Sequence, residues 1–164
     1  MPFLNIMNEW YLKDQSKKVT AAYQLRGKSG LPTNNNCLYG YRKDPDIKHH
    51  WLVDDEAAAT VRRIYQMACE GHGPSEIARI LTEEKVDNPG YYFTKHACGM
   101  RSDYTKEAHA HDWNSLTISR ILTHQEYLGH TVNFRSSKRY YKDKRHANPP
   151  EKLLIFENTH EPIV

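Results

Sequence analysis

Residues 54–84 read DDEAAATVRRIYQMACEGHGPSEIARILTEE, and the spacing of their apolar positions sets the architecture. Ala58, Val61, Ile64, Tyr65 and Ala68 recur at i, i+3 and i+4, which places them on one face of a helix running from Asp55 to about Glu70. Asp54, Asp55 and Glu56 stand at its start, where the positive end of the helix dipole favours acids. Gly71 and Gly73 stop it. Pro74 and Ser75 then open a second helix to about Glu84, with Ile77, Ile80 and Leu81 as its apolar face. Two amphipathic helices joined by a short glycine-rich turn are the first two members of a trihelical core.

The third member is WNSLTISRILTHQEYLG, residues 113–129. Ile118, Ile121 and Leu122 form its apolar stripe, Trp113 and Leu116 pack at its start, and Asn114 or Ser115 serves as N-cap. A strand is expected over 127–134, followed by the basic run RSSKRYYKDKRHANPP (135–150) and a further apolar patch at 152–156. Strand, basic loop, strand is the layout of a hairpin. On the other side, residues 4–27 lack proline and glycine until Gly27 and read as one long helix, which Gly27 and Gly30 end. A short strand over 37–41 and a second over 49–53 are expected to pair. Residues 86–112 read as an irregular loop with a small hairpin at Tyr91–Thr94. The fold class expected is α+β: a mainly helical core with helix-turn-helix character, small strands and a hairpin, and a long N-terminal helix.

With 164 residues the chain has room for one domain of ordinary core size, or for one domain with an appendage. No apolar run reaches the roughly 18 residues of a membrane span, and MPFLNIMNEW turns polar too early for a signal peptide. Three cysteines, none in a CxxC pair, fit a reducing cytoplasm. The net charge of +3 is unevenly spread: residues 1–50 carry 8 Lys/Arg against 4 Asp/Glu, 51–112 carry 7 against 11, and 113–164 carry 8 against 5. Basic ends flanking an acidic middle suggest a polyanionic partner for the ends.

A helix that reads DNA needs one apolar face for its own domain and another with short hydrogen-bonding residues and arginine, free of carboxylates. Asn114, Ser115, Thr117, Ser119 and Arg120 meet that description, although a solvated helix face without acids has the same composition. The hairpin tip offers Arg135, Lys138, Arg139, Lys142, Lys144 and Arg145 around Tyr140 and Tyr141, a phosphate-gripping arm or a solubilising loop. Lys17, Lys18, Arg26 and Lys28 add positive charge to the first helix; for the last two the helix dipole is reason enough. His96, Cys98, His109 and His111 are zinc-compatible residue types, but H-x-C…H-x-H matches no usual structural-zinc spacing, so neither a metal nor a cofactor is expected. No GxSxG, HExxH or GxxxxGK[ST] pattern occurs, and no catalytic residue is assigned. The competing function is a protein–protein module presenting the acidic 51–112 segment with Tyr91, Tyr92 and Phe93 exposed.

SKKVTAAYQLRGKSG (16–30), LYGYR (38–42), the 53–86 helical run, WNSLTISRILTHQEYLGHT (113–131) and ENTHEPIV (157–164), in this order, resemble the central domain of large serine recombinases, the integrase and transposon-resolvase group. The most specific correspondence is a Trp before the helix, an Ile-Leu pair within it and Tyr-x-Gly after it, here Trp113, Ile121, Leu122, Tyr127 and Gly129. Thr123 and His124 depart from the family, which often has Asn after the Ile-Leu pair. The resemblance implies double-stranded DNA as partner and recombinase protomers, dimeric or tetrameric, in a longer parent. Residues 1–28 would be the end of a helix leading from the catalytic domain, and 29–164 the DNA-binding domain with its loop at 86–112 and basic hairpin at 127–156. The family's Tyr-x-Arg-x-Ser nucleophile motif and paired-cysteine zinc ribbon do not occur in these residues, so an excised middle domain is expected, working at the nucleoid of a bacterial cytoplasm.

Overall fold

The computed structural model describes residues 2–34, 36–96, 107–138, 140 and 142–164. Among these, the helices are α1 (Pro2–Lys28), α2 (Asp55–Cys69), α3 (Pro74–Glu83), α4 (Pro89–Lys95) and α5 (Ser115–Thr123). The strands are β1 (Tyr41–Lys43), β2 (Trp51–Val53), β3 (Thr131–Asn133), β4 (Ser136–Ser137), β5 (His146–Ala147) and β6 (Leu154–Phe156). They form three antiparallel pairs, β1–β2, β3–β6 and β4–β5, and the whole is a mainly helical α+β fold. No helix among the described residues is long and apolar enough to cross a membrane. The chain divides into two compact units, residues 36–129 with 160–164 and residues 1–35 with 130–159.

In the first unit α2, α3 and α5 pack around Val61, Ile64, Ile77, Leu81 and Ile118, all fully buried. Each such side chain contributes on the order of 1.5–3 kcal/mol by leaving water. Aromatic residues close the core, and several of their polar tips bond to backbone carbonyls. Tyr65 Oη donates to the Ile121 carbonyl (3.0 Å), tying α2 to α5. Tyr127 Oη donates to the Tyr39 carbonyl (2.8 Å), and Trp113 Nε1 donates to the Val86 carbonyl (3.0 Å). Burial lifts the Tyr39 phenol to about 12 and pushes Tyr41, Tyr92 and Tyr127 higher still.

Four local expectations are corrected in this unit. The strand expected from Cys37 starts only at Tyr41, because Gly40 takes a positive φ (98°) and Tyr39 turns into the core. The 91–94 stretch is helix α4: Asn88 Oδ1 accepts from Tyr91 N (2.9 Å) and Pro89 opens the first turn, a cap-and-proline start. Tyr92 is therefore buried, its hydroxyl donating to Asp54 Oδ2 (2.9 Å), and Phe93 packs against the core. The exposed aromatic surface of the protein-module reading is lost with them. The strand expected from Tyr127 starts only at Thr131: residues 125–128 form a turn of 3-10 helix, and Gly129 ends it at φ 85°. A Cβ on Gly129 would lie 2.7 Å from the His160 carbonyl oxygen, so a side chain is excluded twice over.

The second unit joins α1 to the hairpin, whose ladder pairs Thr131 with Phe156 and Asn133 with Leu154 before continuing into β4–β5. Its centre is polar. Asn133 is 1% exposed; its Oδ1 accepts from Thr33 N and Thr33 Oγ1 (both 3.0 Å), and its Nδ2 donates to the carbonyls of Gly27 (3.0 Å) and Leu31 (2.9 Å). The close approach needs Gly27, since a Cβ there would collide with the Phe134 ring. Beyond this clamp α1 is largely exposed, with Trp10, Val19 and Leu25 each showing more than half of their surface.

Candidate nucleic-acid interface

Helix α5 begins at Asn114, whose Oδ1 accepts from Thr117 N (2.8 Å) and Thr117 Oγ1 (3.1 Å). Of the two N-cap candidates, Asn114 and Ser115, the helix uses Asn114, which commits Asn114 Oδ1 and the Thr117 hydroxyl proton to the helix itself. Thr123 Oγ1 donates back to the carbonyls of Ser119 (2.9 Å) and Arg120 (3.1 Å). Of the five suggested base readers, Ser115, Ser119 and Arg120 keep their side chains uncommitted among the described residues; Ser115 and Arg120 are exposed and Ser119 half-buried. Arg120 contrasts with Arg63 and Arg79, which pair with Glu84 and Glu83. Leu116, expected to pack at the helix start, is instead 58% exposed. At four residues' spacing it shares a face with Arg120, a signal already present in the sequence.

The phosphate candidates all lie in the other unit, where α1 and the hairpin enclose two adjoining hollows of about 560 and 460 Å³. Lys17 and Lys138 line the larger, and Lys138 and Arg145 the smaller, with Ser16 and Thr20 common to both. Lys13, which no sequence pattern singles out, joins Lys17 one turn earlier on α1 and stands 3.9 Å from the Glu9 carboxylate, a looser pairing than those below. Among the described residues no carboxylate lines either hollow. The fold thus brings together cations about 120 residues apart in sequence, and hydroxyls between them suit an anion.

The remaining candidates divide. Lys18 pairs with Asp14 (2.8 Å) and Lys142 with Glu9 (3.3 Å), so each carries a local counter-charge. Lys28 and Lys144 are exposed, and Arg135 is half-buried. Arg26 serves the fold: its Nη2 donates to the Thr33 carbonyl (2.6 Å) beside the Asn133 clamp. Arg139 lies outside the described residues, as does Cys98 of the histidine–cysteine group. Each remaining histidine of that group faces a carboxylate: His96 Glu56 (4.0 Å), His109 Asp112 (2.6 Å) and His111 Asp87 (3.3 Å). Among the described residues no three His, Cys, Asp or Glu side chains gather as a metal site.

Of the frame residues, Trp113, Ile121, Tyr127 and Gly129 are buried and Leu122 is half-buried against the core, so that sequence pattern marks a way of packing. A family model described as Recombinase matches residues 55–164, from the start of α2 onward. No solved structure matches the chain. By that match, which covers most of its length, the chain belongs to the Recombinase family, the central domain of large serine recombinases, and has its role in site-specific recombination.

Proposed function

We propose that the chain binds double-stranded DNA beside a crossover site, as the central domain of a site-specific serine recombinase of a mobile element. In this reading α5 is the recognition helix of the trihelical core, braced from behind by α2 and α3. α5 enters the major groove with Ser115, Ser119 and Arg120 towards base edges, and Asn114 and Thr117 chiefly shape its N-terminus. The α1–hairpin cleft holds phosphates through Lys13, Lys17, Lys138 and Arg145, with Lys28 and Lys144 as outlying contacts. Recombinase protomers are the protein partners, and the cutting serine comes from the catalytic domain of the recombinase. The observation that carries the reading is the cleft: among the described residues its wall holds four cations with hydroxyls between them and no carboxylate. Duplex DNA presents one negative charge per about 1.7 Å of axis, the ligand such a wall suits.

Duplexes selected from a random pool test it, with affinity measured across a salt series. The logarithm of the binding constant is expected to fall with log[salt] at a slope of several. Lys138→Ala should lower that slope by about one and weaken selected and random duplexes alike, whereas Arg120→Ala should cost about 1–3 kcal/mol on the selected duplex and little on random DNA. Failure to retain any duplex at low salt sinks the reading.

A further inference from the structure

An exposed leucine is ordinary on a protein surface; the position of Leu116 is less so. At about 100° per residue, Ile118, Ile121 and Leu122 centre on the side of α5 opposite Leu116. Ser119, Arg120 and Thr123 lie within about 60° of it, so Leu116 stands in the middle of the outward face. It takes no part in the hydrophobic cluster that fixes the helix. Its polar neighbours are selectively occupied: Thr123 spends its hydroxyl proton on the helix carbonyls, whereas Arg120 makes no hydrogen bond or ion pair among the described residues. The face thus combines one apolar side chain, one uncommitted guanidinium and no acid. Major-groove edges offer both counterparts, the thymine methyl for an aliphatic group and guanine O6/N7 for arginine.

We infer that Leu116 is a specificity-determining residue that packs on a thymine C5-methyl next to the base contacted by Arg120. This rests on the DNA-binding reading above and adds to it a rule for the target: a thymine within a base pair or two of a guanine. One turn of helix, about 5.4 Å, separates the two side chains and sets that spacing.

Replacing each thymine of a selected duplex by deoxyuridine removes only the methyl group. Substitution at one position per half-site is expected to weaken the full chain's binding about fourfold, the effect of one buried methyl. Leu116→Ala should bind thymine and uracil duplexes equally with its melting temperature unchanged, and Leu116→Met should retain the discrimination. Binding indifferent to every thymine methyl overturns the inference and leaves the DNA reading standing. Discrimination that persists in Leu116→Ala assigns the methyl contact elsewhere and overturns it too. So does an alanine variant that changes only self-association in sedimentation, since the face is then a contact between copies. Retention of no duplex at all overturns both readings together.

Discussion

Residues 36–129 with 160–164 bury Val61, Ile64, Ile77, Leu81 and Ile118 completely around three helices, whereas α1 in the other unit leaves Trp10, Val19 and Leu25 more than half exposed. The first unit holds its elements together with apolar volume, finished by tyrosine hydroxyls on backbone carbonyls. The second is centred on one buried amide, Asn133, whose oxygen and nitrogen each make two hydrogen bonds. The two kinds of cohesion respond differently to perturbation. Apolar packing loses stability with volume removed, while a polar clamp fails when one partner is left without another.

The largest effect should follow from Ile64→Ala, which empties a fully buried position where α2 faces the core. A loss of about 4 kcal/mol is expected, within the usual range for an aliphatic core truncation. Denaturant unfolding followed by tryptophan fluorescence checks it, because Trp51 and Trp113 both lie in this unit. A loss under about 1 kcal/mol would mean that the site collapses around the cavity and that the contrast with the clamp is overstated.

The same contrast decides what was legible in the sequence. Helices α2, α3 and α5 came out within a residue or two, since period-3.6 patterning is what a helix buried on one face must show. The N-cap at Asn114 was legible for a similar reason: capping is local chemistry. Helix α4 was not, because YYF alternates with neither period, although Asn88-Pro89 carried a start signal that was passed over. Leu116 was assigned to the core on hydrophobicity alone, and its place opposite Ile118 argued otherwise. The cleft lay furthest from reach. Lys17 and Lys138 meet because Asn133 joins the end of α1 to β3, and no local pattern announces a contact across about a hundred residues. Asn133 itself reads in sequence as an ordinary polar strand residue.

A second effect belongs to the apolar unit alone and comes from its phenols. Burial raises Tyr39 to about 12 in the fold, against about 10 for the unfolded chain. The neutral phenol is the form the core accepts, so this stabilisation is complete below pH 10. It is lost progressively as pH rises from 10 through 12. Tyr39 alone accounts for about 2 kcal/mol at the far end of that window. Tyr41, Tyr92 and Tyr127, also raised, steepen the decline. Stability measured from pH 8 to 12 should be flat at first and then fall, with tyrosinate absorbance rising in step. Exposed Tyr11 and Tyr140 ionise without consequence, whereas ionisation of all the tyrosines with no loss of stability would contradict the role given to the buried hydroxyls.

The smallest effect is the one that separates the units most directly. Asn133→Ala leaves the carbonyls of Gly27 and Leu31 and the amide of Thr33 without their partner, for a loss of about 2 kcal/mol. Protection from hydrogen exchange should drop at the end of α1 and along β3–β6, while the amides of α2 and α3 keep theirs. If protection falls equally throughout, the clamp and the core form one cooperative system, and the division into two units describes geometry alone. If it falls only beside the clamp, DNA binding gains a diagnostic. Lys17 stands on α1, whereas Lys138 and Arg145 are carried by the hairpin, so loosening Asn133 should flatten the salt dependence of binding. Any preference among selected duplexes should survive, because Arg120 and Leu116 belong to the unit that the substitution does not touch. An intact salt slope in Asn133→Ala would remove the cleft from the phosphate contacts, even with the exchange pattern as expected.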